Sequence, residues 1–194
     1  MLAKLIVIEG PDKSGKATQA KLLFDSLGRY GANVTLVEIP YNDGMTHKII
    51  YKMLNTGLAK SHPNIFQFFQ FANKFIFQLS KLSFCMLTCD YVILDRWSPS
   101  MITYGSASGA NDLLSKFLYS FLIKPNVTLV MSGKTYTRNT VDDSYESDVS
   151  LQDHVNDGYK SWCETNKSNN AILIDNSLST QEVHENILKV INNI

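Results

Sequence analysis

Residues 10 to 16 of this 194-residue chain read Gly-Pro-Asp-Lys-Ser-Gly-Lys, and they are the strongest chemical signal in it. They follow the apolar run AKLIVIEG and lead into a helical pattern, the context in which a glycine-rich loop cradles phosphate. Gly10 and Gly15 let loop N–H groups, that of Ser14 among them, approach phosphate oxygens. The helix N-terminus adds partial positive charge, and Lys16 can reach the β- and γ-phosphates of a nucleotide. A ligand-free glycine turn is the other reading; Lys16, both glycines and the context together weigh against it. The residue after the lysine, Ala17, lacks the hydroxyl that normally helps hold Mg²⁺ there. Thr18 comes one position late, about 100° round the helix, so it does not simply substitute; it could donate to an α-phosphate. Because Mg²⁺ takes only one or two protein ligands, weaker metal binding is expected rather than none. Within the loop, Lys13 could neutralise charge on a moving phosphoryl group and Asp12 could orient the acceptor or a metal-bound water. Ordinary loop solvation is the alternative for both.

VILDRW is the second constellation. Asp95 closes an apolar strand, at the edge where open parallel sheets bind ligands, and can hold Mg²⁺ or its waters. Arg96 can clamp a phosphate through two hydrogen bonds. A plain salt-bridged pair is the competing account. Residues 133–148 are polar and aperiodic and carry Lys134 and Arg138. They read either as a lid whose cations, Arg138 in particular, reach ATP, or as a surface loop.

The elements that would position these residues alternate. Apolar runs at LIVIE, VTLVE, YVILD, VTLVM and AILID are separated by helical patterns, which implies an α/β fold with a parallel sheet covered on both faces. No linker, repeat or low-complexity tract divides the chain, so one domain over 1–194 is expected. Residues 64–88 read as one long helix, apolar nearly all round; Phe66, Phe68, Phe69, Phe71, Phe75, Phe77 and Phe84 cannot share a face. Such a helix is either central to the core or partly covered by another subunit. A formal net charge of zero gives no support for nucleic-acid or membrane-surface binding. Three cysteines and a chain that begins with a strand lead us to expect reduced thiols and a cytoplasmic setting. The Cys85/Cys89 pair is expected to pack rather than bind metal.

Taken in order, EGPDKSGK, FANK, DRW, KPNVTLVMS and YES…LQ resemble the thymidylate kinases, especially those of eukaryotes and large DNA viruses, over essentially the whole chain. The resemblance implies a three-layer P-loop kinase fold with a five-stranded parallel sheet, transfer of the ATP γ-phosphate to dTMP with Mg²⁺, and a homodimer formed through helices. It implies that Lys16 and the loop amides hold ATP, that Asp12 lies near the acceptor phosphate, and that Asp95 and Arg96 serve acceptor and metal. Ser100 and Tyr104 would line the acceptor pocket, with Tyr145 and Gln152 approaching the deoxynucleoside.

The departures cluster at the acceptor. Ala17 replaces Ser or Thr. The family's Phe-Pro-x-Arg becomes Ile39-Pro40-Tyr41-Asn42, so Asn42 carries no charge toward the acceptor phosphate. Its base-reading Arg becomes Lys74 and its stacking Phe aligns with Gln70; Phe69 or Phe71 could stack only with a shifted helix. Trp97 stands in place of Tyr after the Asp-Arg pair, and the lid is longer by one or two residues. Arg and Lys are not equivalent where a planar fork reads an edge. A kinase of broader acceptor range, or a nucleotide-binding homologue with impaired catalysis, therefore stands beside the dTMP reading.

Overall fold

The structure, a computed structural model, describes residues 2–133 and 149–194. Five strands, β1 (Lys4–Glu9), β2 (Val34–Glu38), β3 (Tyr91–Asp95), β4 (Val127–Ser132) and β5 (Ala171–Asp175), form one parallel sheet in the order β2-β3-β1-β4-β5. The predicted α/β fold with its five-stranded parallel sheet is present. Alternation sorts the strand side chains onto two faces. Leu5, Val7, Val92 and Leu94 pack with Phe77, Trp97 and Met101 on one side; Ile6, Ile8, Ile93 and Leu129 pack with Leu23, Leu27 and Ile187 on the other.

The helices are α1 (Lys16–Arg29), α2 (Thr46–Asn55), α3 (Leu58–Ser61), α4 (Pro63–Phe77), α5 (Ser83–Thr88), α6 (Ser98–Ala107), α7 (Asp112–Tyr119), α8 (Val149–Thr165) and α9 (Thr180–Ile191). A third cluster joins α2, α4, α6 and α8 through Ile50, Phe66, Tyr104, Val155 and Tyr159, beyond the sheet edge where the chemistry-bearing residues lie. α7 starts at Asn111, whose side chain accepts from Leu114 N at 3.0 Å, and α9 starts at a Ser179/Glu182 capping box.

Two readings of the sequence are refined. The long helix is α4 and α5 joined through a π turn at Gln78–Leu82, where Gln78 bonds the backbone of Phe121 and Ile123 at 3.1 and 2.6 Å. Its rings divide between two environments: Phe66 and Phe77 are buried, whereas Phe68 and Phe84 are 55% and 66% exposed. Helix α6 was not anticipated. It buries Ser98, Pro99, Thr103 and Gly105 along with Met101 and Tyr104, so no apolar stripe marks it. Cys85 and Cys163 are buried, all three thiols are free, and among the described residues no three His, Cys, Asp or Glu side chains group as a metal site. No described helix is long and apolar enough to cross a membrane.

Candidate active site

The loop between β1 and α1 is shaped by its glycines. Gly10 has φ 141°, and a Cβ there would stand 2.7 Å from the Met131 carbonyl oxygen of β4. Gly15, at φ 87°, precedes α1 without any side-chain cap, which leaves first-turn N–H groups for a ligand. Lys16 is 6% exposed and donates from Nζ to the Pro11 carbonyl at 2.6 Å. Burial, with the neighbouring Arg96 charge, lowers its pKa to about 8, against the pull of Asp12, Asp95 and Glu9. A phosphate oxygen at this ammonium would supply the direct anionic partner that a carbonyl does not.

Asp12 is the hub of the site. One carboxylate oxygen is ion-paired with the Arg96 guanidinium; the other accepts from Tyr104 Oη at 2.7 Å and Gln152 Nε2 at 3.0 Å. The Asp12 amide also donates to Gln152 Oε1 at 3.2 Å. Burial would raise the Asp12 pKa, but Arg96, Lys16 and these hydrogen bonds together hold it below the usual carboxylate value. Arg96 sits in the left-handed region at φ 73°, unusual for a side chain other than glycine. Its own amide donates to the Ile8 carbonyl at 2.9 Å and the next amide, Trp97, donates to Glu9 Oε1 at 2.6 Å. Asp95 is 7% exposed and its Oδ1 accepts no hydrogen bond.

Glu9 was not singled out from the sequence. It is fully buried, and its second oxygen accepts from Ser100 Oγ at 2.6 Å and Tyr159 Oη at 2.7 Å. It thereby ties β1 to α6 and α8. The available signal was a carboxylate ending an otherwise apolar strand.

A cavity of about 250 Å³ opens at this sheet edge. Of the predicted residues, Asp12, Lys13, Ser14, Gly15, Lys16 and Ala17 line it from the loop. Pro40, Asp95 and Arg96 line it from the strand ends, and Gln70, Lys74, Ser100 and Tyr104 from α4 and α6. Lys74 is 2% exposed and donates to Gln70 Oε1 at 2.9 Å. Burial lowers its pKa to about 7, with Glu9 pulling the other way.

Other expectations need correction. Asn42 is exposed and is not part of the lining. Asn73 clamps both the N–H and the C=O of Tyr41 at 2.7 Å, and the Tyr41 ring packs on Phe77, so the next residue turns outward. Phe69 does not line the cavity either. It lies roughly 100° round α4 from the cavity-facing stripe and packs beside Phe66 in the third cluster. Phe66 and Gln67 line the cavity instead, and Tyr51 joins them from α2. Spacing could have found Phe66, one turn before Gln70 and two before Lys74. Thr18 faces a second cavity of about 200 Å³, with Gln19, Asn176 and Thr180, while Ala17 faces the first, so Thr18 does not replace the missing hydroxyl. Gln152 reaches the site through Asp12. Arg138, Tyr145 and the expected lid beyond Gly133 lie outside the described residues.

Residues 8–187 match the family model described as thymidylate kinase. A putative thymidylate kinase of Invertebrate iridescent virus 6 is 29% identical, covering 91% of this chain and 86% of its own. The thymidylate kinase of Plasmodium falciparum is 29% identical, covering 98% and 90%. Among solved structures, the thymidylate kinase of Candida albicans superimposes with a TM-score of 0.82 at 24% identity, covering 99% of this chain and 92% of its own. That of Ehrlichia chaffeensis gives 0.77 at 23%, covering 99% of both.

Proposed function

Because this chain belongs to the thymidylate kinase family, we propose that it moves the γ-phosphate of ATP to dTMP, giving dTDP, within a single kinase domain over residues 1–194. The observation that carries this reading is the convergence of Lys16, the Asp12–Arg96 pair and Asp95 on one cavity at the ends of β1 and β3. In-line transfer between two phosphates asks for positioning and charge neutralisation more than covalent chemistry. Lys16 and the open N–H groups of α1 hold the donor phosphates. Lys13 lies beside them and offsets charge on the moving group. Arg96 turns from Asp12 toward the acceptor phosphate, and Asp12, kept ionised, orients that acceptor together with Tyr104 and Gln152. Tyr145 approaches the deoxynucleoside, and Arg138 and the 133–148 segment close over ATP, in the same proposal.

The residues fit Mg²⁺. Asp95 offers a buried oxygen without a hydrogen bond, a hard anionic donor beside the phosphate loop. Asp95 would hold the ion directly or through water, where it supplies neutralising charge to the phosphates. Ala17 takes away one hydroxyl from that set, so Ala17→Ser is expected to reduce the Mg²⁺ concentration for half-maximal rate about fivefold, the worth of roughly one hydrogen bond. A titration showing the same half-point in both proteins would sink that idea.

The deciding assay is coupled turnover with ATP, Mg²⁺ and each nucleoside monophosphate in turn. Turnover of dTMP is expected. Several equally good acceptors would mark a broader kinase, and ATP binding without any transfer would mark a nucleotide-binding homologue.

We also propose a homodimer through the Phe-rich helix. Ile65, Phe68 and Ile76 are 52%, 55% and 43% exposed on the side of α4 roughly 180° from the cavity. Leu113, Phe117 and Phe121 of the α7 region, 78%, 61% and 50% exposed, extend the same apolar surface, with Phe71 and Phe121 in edge contact. Sedimentation equilibrium should show a dimer that Phe68→Glu with Phe117→Glu converts to monomer; a monomeric native chain would refute it.

A further inference from the structure

We propose that Asn176 is a positioning residue for the donor phosphates: its side-chain amide fixes the direction of the Ser14–Gly15 peptide, and with it the N–H that Gly15 offers to phosphate. The assignment rests on the kinase reading above and adds to it a residue far from the loop in sequence.

Asn176 follows β5 directly and is 2% exposed. Its Nδ2 donates to the Ser14 carbonyl at 2.7 Å, across 162 residues of chain. A carbonyl oxygen can be met only by the nitrogen end of an amide, so the Asn176 side chain has one productive orientation here. Its backbone has little freedom either. The Asn176 N–H donates to the Ser132 carbonyl at the end of β4 at 3.1 Å. The turn that follows is closed by Asp175 Oδ1, which accepts from Ser177 N and Ser177 Oγ at 2.9 and 2.6 Å. Gly133 leaves room for the amide: a Cβ there would stand 2.8 Å from Asn176 Oδ1.

The Ser14–Gly15 peptide is trans, so its C=O and N–H point in opposite directions. With the carbonyl drawn back to Asn176, the Gly15 N–H is turned the other way. It donates to no described residue, and Gly15, partly exposed, lines both cavities. Lys13 and Ser14 line both as well, so this stretch of loop is where a phosphate chain would pass from the Thr18 side to the Ala17 side. Glycine alone does not secure the arrangement. Gly15, at φ 87°, can take either sense of the peptide at small cost. The reversed peptide would present a carbonyl oxygen to a phosphate oxygen, turning an attraction into a repulsion. The donor on the Ser14 carbonyl is what separates the two states. The competing account has Asn176 only filling the gap between β5 and the loop.

The test compares Asn176→Ala with the native protein, with ADP as the probe. By calorimetry the variant should bind ADP at least about tenfold more weakly, the worth of one hydrogen bond to a charged group, with dTMP affinity within about twofold of native. The KM for ATP should rise by a similar factor while that for dTMP holds. By NMR, the Gly15 amide proton of the native protein should move downfield as it meets a phosphate oxygen of ADP; at saturating ADP the variant should lose that shift. Asn176→Leu, which fills a similar volume without a donor, should reproduce both effects and serves if Asn176→Ala folds poorly. Native-like ADP affinity with a full Gly15 shift in either variant would overturn the assignment and leave the kinase reading intact. Equal losses of ADP and dTMP affinity, the mark of general loosening, would do the same. A native protein that binds ADP with the Gly15 shift but transfers phosphate to no monophosphate would overturn the kinase reading while the role of Asn176 in phosphate binding stands. A native protein that does not bind ADP would overturn both.

Discussion

Arg96→Ala is expected to lower kcat for transfer to dTMP by about 10²–10³-fold, the usual loss when a preorganised charge is removed from a phosphoryl or oxyanion site. The geometry supports a second effect. Arg96 is the cation paired with Asp12, and the two side chains are only 22% and 13% exposed. Truncation leaves the Asp12 carboxylate with hydrogen bonds from Tyr104 and Gln152 but without its ion-pair partner. Breaking a buried pair by removing one member is destabilising by about 3 kcal/mol. Adding Asp12→Asn should restore most of that stability and none of the rate, which separates the two consequences. Arg96→Lys should recover little, because an ammonium lacks the planar fork that meets a phosphate and a carboxylate together. Denaturant unfolding and steady-state kinetics on the three proteins provide the check. A kcat for Arg96→Ala within twofold of native would remove Arg96 from the mechanism.

Glu9→Gln is the second large effect, on a residue that touches no substrate in our reading. Its two oxygens receive the Trp97 and Ser100 amides on one side and the Ser100 and Tyr159 hydroxyls on the other. An amide keeps only one acceptor, so one set of donors meets an NH₂ group. The expected loss is about 2–4 kcal/mol of stability, since charged hydrogen bonds are among the stronger ones. The rate follows from position. Trp97 N is one residue from Arg96, whose left-handed backbone is held by Ile8 on one side and Glu9 on the other. Releasing that anchor lets Arg96 relax away from the acceptor, and a displacement of an ångström can reduce rate about 10²-fold. The signature is a fall in kcat with the ATP dissociation constant little changed. A variant that loses stability while keeping kcat would show Glu9 to be purely structural.

The local parts of this protein were readable one residue at a time. A strand, two glycines, a lysine and a helix in immediate succession specify the phosphate loop, because backbone N–H groups three to five residues apart do the binding. Asp95 and Arg96 were readable for the same reason, at the end of a buried strand whose edge is where parallel sheets bind ligands. The α/β alternation followed from apolar runs too continuous for a half-exposed sheet.

What the tertiary structure decided is everything that depends on distant partners and on the phase of a helix. Glu9 makes its bonds to Trp97, Ser100 and Tyr159, 88 to 150 residues away, so nothing near it in the chain announces its role. Helix α6 packs small and polar residues inward and has no period to read. Asn42 was expected at the acceptor phosphate, but Asn73 of α4 grips Tyr41 in the loop after β2, and Asn42 turns to solvent. On α4 the sequence alone could name Lys74 and Gln70 but not which aromatic ring shares their face. At 100° per residue, Phe66 and Gln67 fall toward the cavity and Phe69 does not. Residue types and their spacing marked the phosphate loop; the packing of α4 against α6 determined which side chains are left facing the cavity.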